Sequence, residues 1–212
     1  MTGVQTCALP ISGPRELETW IDQNEVGAAV LLAQEGYQVV RHGLRMVRDL
    51  ALPIGSLDLP PGLEIRPVVE ADHRRIWDAD VEAFRDHWNS AERTEADYEG
   101  WFTNPELNTD LWRVAWAGDE VAGAVMPSIS PIENELLAIK RGWLEHVSVR
   151  RPWRRQGLAS ALIVASMLAL RAAGMTEAAL GVDADNLTGA VGVYERLGFR
   201  RARTTVKYSK DF

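Results

Sequence analysis

The stretch LASALIVASMLAL, Leu158 to Leu170, runs thirteen residues without a charge. Wound as a helix, it is apolar around nearly its whole circumference, so it must be covered on every side. A layered fold with a sheet against the helix meets that demand. The run is well short of the ~20 residues that span a membrane. Just ahead of it stands RRPWRRQ, Arg150 to Gln156, then Gly157. Ahead of that, EHVSV alternates as a strand does. A strand, a basic turn, a glycine and a helix start bring free backbone N–H groups and the positive end of a helix dipole together. That is an anion site in outline. A solvated basic turn before a core helix would carry the same charges. The turn is neither a Walker A loop nor a dinucleotide fingerprint.

The flanking sequence supplies the layers. GLEIRPVV (62–69) suits a first strand. In EADHRRIWDADVEAFRDHW, residues Ile76, Asp80, Ala83, Phe84 and Trp88 fall near helical spacing. Thr94, with Asp97 three residues on, caps a second short helix. LWRVAWAGDEVAGAVMPSI turns as a hairpin at Gly118-Asp119. Residues 142–149 form a strand, and the long helix ends at Gly174. EAALGVDA is a strand, LTGAVGVYERLG a helix, and FRRARTTVKYSKDF a final pair of strands. The order β-α-α-β-β-β-α-β-α-β-β specifies a mixed α/β domain with helices on the faces of one sheet.

Arg154 to Ala159, RRQGLA, resembles the pyrophosphate loop of the GNAT superfamily, the acyl-CoA-dependent N-acyltransferases. The pattern there is Arg or Gln, two residues, Gly, any residue, then Gly or Ala. DADNLTGAVGVYERLGF resembles the later strand–helix signature of the same family through Asn186, Tyr194, Leu197, Gly198 and Phe199. The two lie in the family's order and span residues 62–212. The resemblance implies a mostly antiparallel sheet splayed at the CoA site, with acetyl-CoA or another acyl-CoA as co-substrate. Its diphosphate would meet the turn at Arg154, Arg155, Gln156, Gly157, Leu158 and Ala159, with Asn186 opening the later helix. Its pantetheine would pair with backbone near Val147 and Val149. The implied reaction is direct attack of a primary amine on the thioester, without an acyl-enzyme. Tyr194 is then the acid that protonates the departing sulfur; a half-buried packing aromatic is the other reading. Glu145 is where relatives place a base; a surface salt bridge is its other reading. By the period of two, Glu145, Val147 and Val149 share a face and His146 points away, packed or exposed.

The N-terminus reads differently. MTGVQTCALPIS, residues 1–12, has no period, no charge and the only cysteine, Cys7. Reverse-translated from a GTG start, it resembles a sequencing-adapter oligonucleotide, so it is expected to be a non-native scar. Residues 16–50 align without a gap on residues 178–212. Asn24 falls on Asn186, Gly27 on Gly189, Gly36 on Gly198 and Asp49 on Asp211. Such a repeat suggests shared backbone geometry. Residues 13–50 are therefore expected to be the strand–helix–strand remnant of a first GNAT domain whose other half is missing. Residues 51–61, rich in Pro and Gly, are expected to be a linker, and 62–212 a complete domain. On that reading a chain beginning at Asp58 keeps the acetyl-CoA site, and Cys7 has no function.

Composition narrows the function. Apolar residues make up 46%, charged residues 25%, and the net charge is −7. That is a globular, acidic chain, which argues against nucleic-acid binding and gives no membrane segment. One cysteine fits a cytoplasmic setting. His42, His73 and His87 have no metal-ligand spacing, so no metal is expected. Residues 70–110 hold twelve acids against four arginines. In the family these helices wall the acceptor side. With the faces of Trp88, Trp101 and Phe102, they suggest a small cationic amine. A solvated acidic helix face is the plainer reading. The enzyme reading competes with a non-catalytic GNAT-like domain that binds CoA or a protein.

Overall fold

The computed structural model describes residues 16–85, 92–105, 107–184 and 189–211. Along them run β1 (Glu16–Asp22), α1 (Val26–Gln34), β2 (Gln38–Asp49), β3 (Glu64–Arg66), α2 (His73–Phe84), α3 (Glu95–Phe102) and β4 (Arg113–Ala117). Then come β5 (Glu120–Ser128), α4 (Pro131–Leu136), β6 (Arg141–Val149), α5 (Leu158–Ala172), β7 (Glu177–Asp183), α6 (Ala190–Arg196) and β8 (Arg200–Asp211). The strands form one sheet in the order β1-β8-β2-β7-β6-β5-β4-β3. Every pair is antiparallel except β6 with β7. The fold is the mixed α/β sheet expected.

Each face of the sheet buries a separate core. α5, uncharged as far as Leu170, lies on one face, with Leu158, Leu162, Ile163, Met167 and Leu170 against Val125, Leu144 and Leu180. α5 sits so close to β6 that a Cβ on Gly142 would lie 2.3 Å from a Leu170 methyl. α2 covers the other face, with Ile76 and Ala79 against Val114, Trp116, Ala124 and Met126. The predicted local signals hold. Thr94 and Asp97 form a reciprocal capping box on α3. Gly118-Asp119 closes the β4–β5 hairpin, and Gly174 ends α5 in the left-handed region. α4 was not anticipated, although Ser130-Pro131 with Glu133 is a helix-start signature. The Ser130 hydroxyl accepts from the Glu133 N–H.

One expectation is corrected. FRRARTTVKYSKDF is not a strand pair: from Arg200 to Asp211 it is the single strand β8. No Gly, Pro or Asn interrupts it to make a turn. The place of a further strand, between β7 and β8, is filled by β2. Strands from before and after residue 50 thus share one sheet. Leu44, Met46, Val47 and Leu50 are buried. The stretch 51–61 has no helix or strand and lies against the domain. Arg48 holds the Pro53 carbonyl at 2.7 Å, while Ile54 and Leu59 pack on the core.

The repeat explains this weave. Shifted by 162 residues, Gln38–Asp49 falls on Arg200–Asp211, the bounds of β8. Gly43 pairs with Thr205, its own repeat equivalent, so a local two-fold axis passes through that pair. Each repeat sends its last strand into the other: β2 joins β7, and β8 joins β1. A Cβ on Gly43 would come within 2.8 Å of Thr205 Oγ1 and 3.1 Å of the Trp20 ring. Lys207–Glu18 and Arg203–Asp22 ion pairs, each 2.5 Å, lock β8 to β1.

Candidate active site

β6 pairs with β7 only over Arg141–Trp143 and then leaves it, although it continues to Val149. The sheet thus splays where expected, and the β7-facing edge of residues 144–149 has no ladder partner among the described residues. A bulge sits at the same place. Met126 pairs with His146 and Pro127 with Leu144, leaving Glu145 as the extra residue. Pro127 offers no N–H to the ladder, which suits a bulge there.

The bulge shifts the period of two, and this corrects the side-chain reading. Leu144, not Glu145, shares the face of Val147 and Val149 toward α5. Glu145 is exposed, and its Oε1 accepts from Ser128 Oγ at 3.1 Å. His146 lies opposite Met126 on the α2 face, and a quarter of its side chain is exposed.

The basic turn follows β6 directly, but its arginines divide. Arg150 Nε donates to Glu82 at 2.9 Å, and its Nη1 donates to the Val121 carbonyl at 3.1 Å. Arg154 donates to the carbonyls of Val149 at 2.9 Å and Ala83 at 3.1 Å. Both fasten the turn to α2 and the sheet. Arg155, Gln156 and Gly157 are exposed. Gln156 donates to the Pro152 carbonyl, while Arg155 and Gly157 have φ of 61° and 87°. Leu158, the first residue of α5, is buried and anchors the helix start. The first backbone bond across that start runs from the Ala161 N–H to the Gly157 carbonyl. The earlier N–H groups, up to Ser160, precede the helical ladder. Space is open beside Gly157, where an added Cβ would meet nothing within 4 Å. Left-handed residues alternating with open N–H groups make a concavity for an anion.

Tyr194 on α6 is buried in the α5-side core, its ring 6.0 Å from Phe199. Burial pushes its phenol up to about 12. The group therefore stays protonated at neutral pH, as a proton donor must. In the unfolded chain it would ionise near 10. The stability this contributes is complete below pH ~10 and is lost as pH rises toward 12. Asn186 and Trp88 lie outside the described residues.

One cluster escaped the sequence reading. Asp80, in the middle of α2, has a fully buried side chain. Its Oδ2 accepts from Arg93 and lies in hydrogen-bond contact with His146 Nδ1, each at 2.9 Å. Its Oδ1 has no partner among the described residues. The signal was present: an acid within an apolar stripe must find a cation or a proton. Four more acids of the stretch face arginines. Asp78 and Glu95 face Arg74, Asp72 faces Arg75, and Glu82 faces Arg150. The aromatic faces are engaged too. Arg93 lies over Trp77, Phe84 and Trp101, and Trp101 and Phe102 pack on Trp112. Among the described residues, no group of three or more His, Cys, Asp and Glu could hold a metal. No described helix is long and apolar enough to cross a membrane.

A sheet splayed at a bulged strand, with a glycine turn opening the next helix, defines the fold of the GNAT acyltransferases. The chain matches the Acetyltransferase (GNAT) family over residues 73–199, more than half its length, and belongs to that family. It is similar to mycothiol acetyltransferases. That of Kineococcus radiotolerans is 31% identical over 205 residues, covering 93% of this chain and 63% of the relative. That of Geodermatophilus obscurus is 28% identical over 203 residues, covering 94% and 65%. The chain thus spans somewhat less than two thirds of these relatives. Among solved structures, a GCN5-related N-acetyltransferase from Sphaerobacter thermophilus superimposes with a TM-score of 0.80 at 26% identity. That match covers 93% of this chain and 60% of that one. A tandem GNAT protein from the clavulanic acid pathway shares the fold, with a TM-score of 0.66 at 16% identity and coverage of 93% and 64%.

Proposed function

We propose that this chain transfers an acetyl group from acetyl-CoA directly to a primary amine of a small acceptor. The observation that carries the reading is the bare β6 edge running into the open turn at Arg155–Gly157. Acetyl-CoA supplies the activated thioester. The N–H groups of Arg155 to Ala159 hold its diphosphate, with Arg155 an exposed cation beside them. Arg154 acts beneath them by holding the turn to Val149 and Ala83. The backbone of Val147 and Val149 pairs the pantetheine and orients the acyl group. Tyr194, neutral and buried, gives its proton to the departing sulfur. No thiol nucleophile is required, because the amine attacks the thioester itself. The name of the relatives supports acetyl as the group carried.

The acidic helices lend a cationic acceptor only weak support, because so many of their carboxylates already face arginines. α1 has no buried residue, and it exposes Val26, Val30 and Leu31. In a longer protein, the rest of a first GNAT repeat would cover that face.

A panel of small primary amines, followed by release of free thiol from acetyl-CoA, tests the reaction. At least one amine should turn over, with polycations and neutral amines within about tenfold in kcat/KM. Acetyl-CoA binding without thiol release across the panel would leave a CoA-binding module instead. Tyr194→Phe should lower kcat on the order of 100-fold while acetyl-CoA affinity stays within twofold, since only a transition-state proton is removed. Unchanged kcat would reduce Tyr194 to packing.

A further inference from the structure

We propose that His146, oriented by Asp80, is the base that takes the proton from the attacking amine; this rests on the acetyltransferase reading above. A carboxylate that accepts from Arg93 is ionised and can only accept, so the contact at His146 Nδ1 needs a proton on that nitrogen. The Nε2 lone pair is then left as a proton acceptor. Asp80 thus does for His146 what the buried acid of a catalytic dyad does: it selects one tautomer and one ring orientation.

Everything packed around the ring holds that orientation. Phe84 on α2 and Trp101 on α3 lie with ring centres 5.4 and 4.7 Å away. Met126 lies across from it on β5. The charged groups around it are Asp80 and Arg93, with Glu145 beside it in the chain. His146 stands on the strand whose open edge would pair the pantetheine, next to the bulge and one residue before Val147. Its exposed edge faces away from the α5 core, on the side of the sheet walled by α2 and α3. Glu145 is the weaker base in this geometry: it is exposed, and its contact with Ser128 Oγ does not fix a protonation site toward the open edge. A buried ion pair retained merely to join α2 to β6 could be replaced by apolar packing, whereas tautomer control could not.

The step balances. The amine nitrogen bonds to the acyl carbon and the carbon–sulfur bond breaks. The surplus proton on nitrogen passes to His146 Nε2, and the sulfur takes one from Tyr194. His146 then releases its proton to solvent and Tyr194 regains one, leaving amide and thiol.

Long-range 1H–15N correlation spectra of the full chain should show His146 as the Nδ1–H tautomer, and Asp80→Asn should disturb it. With glucosamine, spermidine or glycinamide, whichever the wild-type chain turns over fastest, His146→Gln should lower kcat/KM about 100-fold. The acid limb of its pH profile should vanish, with acetyl-CoA affinity and thermal unfolding little changed. The loss from Glu145→Gln should be smaller than that from His146→Gln. His146→Gln within threefold of wild type, or an Nε2–H tautomer, would overturn the assignment while leaving the acetyltransferase reading standing. No turnover by the wild-type chain would remove both.

Discussion

A chain that begins at Asp58 should not fold, although the sequence taken alone suggests that it would carry a whole domain. Residues 58–211 lack β2, and β2 is an inner strand of the sheet, hydrogen-bonded to β7 on one side and β8 on the other. Four of its residues or their immediate neighbours, Leu44, Met46, Val47 and Leu50, are at most 6% exposed. Burial of each is worth about 1.5–3 kcal/mol, together roughly 6–12 kcal/mol. A domain's whole stability is about 5–15 kcal/mol. Losing β2 also bares facing ladders on β7 and β8 and leaves a slot that the rest of the sheet cannot close. The expected result is loss of a cooperative thermal transition and of dispersed amide signals, with no acetyl-CoA binding. A truncated chain that melts cooperatively near the parent's temperature would mean that β8 moves to pair with β7 directly.

Gly157→Glu should weaken acetyl-CoA binding at least 100-fold in a chain that still folds. Two causes add. At φ 87°, a side chain costs about 1–2 kcal/mol of backbone strain. The new carboxylate would also stand in the open space beside the turn, where the diphosphate is expected, and repel it. Gly157→Ala separates the two, since it brings the strain without the charge and should cost about tenfold or less. Calorimetric titration with acetyl-CoA reads both. Equal affinities for the glutamate variant and the wild type would remove the turn from the CoA site.

What was legible in the sequence was mostly local. Thr94 with Asp97, the Gly118-Asp119 turn and the uncharged run after Gly157 each fix their own few residues, and each forms as read. The repeat was legible as well, because Gly36 and Gly198 take the same left-handed conformation after matching helices. Its partners were not, since matching strands look alike whether they pair at home or across the axis. Glu145 was misplaced because the period of two holds only until a bulge adds a residue, and nothing in EHV announces one. Arg150 and Arg154 read as charge for a phosphate, but sequence does not tell a guanidinium turned outward from one spent on carbonyls. Asp80 could have been questioned, but its partners come from positions 13 and 66 residues away, which no local pattern joins.

The crossing of β2 and β8 also sets a timetable for synthesis. β1 and β2 leave the ribosome before the other strands of this sheet, yet the strand that lies between them follows all of those. About 150 residues separate the end of β2 from the start of β8, so at 5–20 residues per second the wait is on the order of ten seconds or more. During that interval Leu17, Trp20 and the apolar face of β2 have no ladder to join. Long-range strand pairing of this kind is slow and prone to aggregation. Yield in a cell should therefore depend on chaperone holding of the nascent N-terminal strands, and slowing elongation should reduce the soluble fraction rather than raise it.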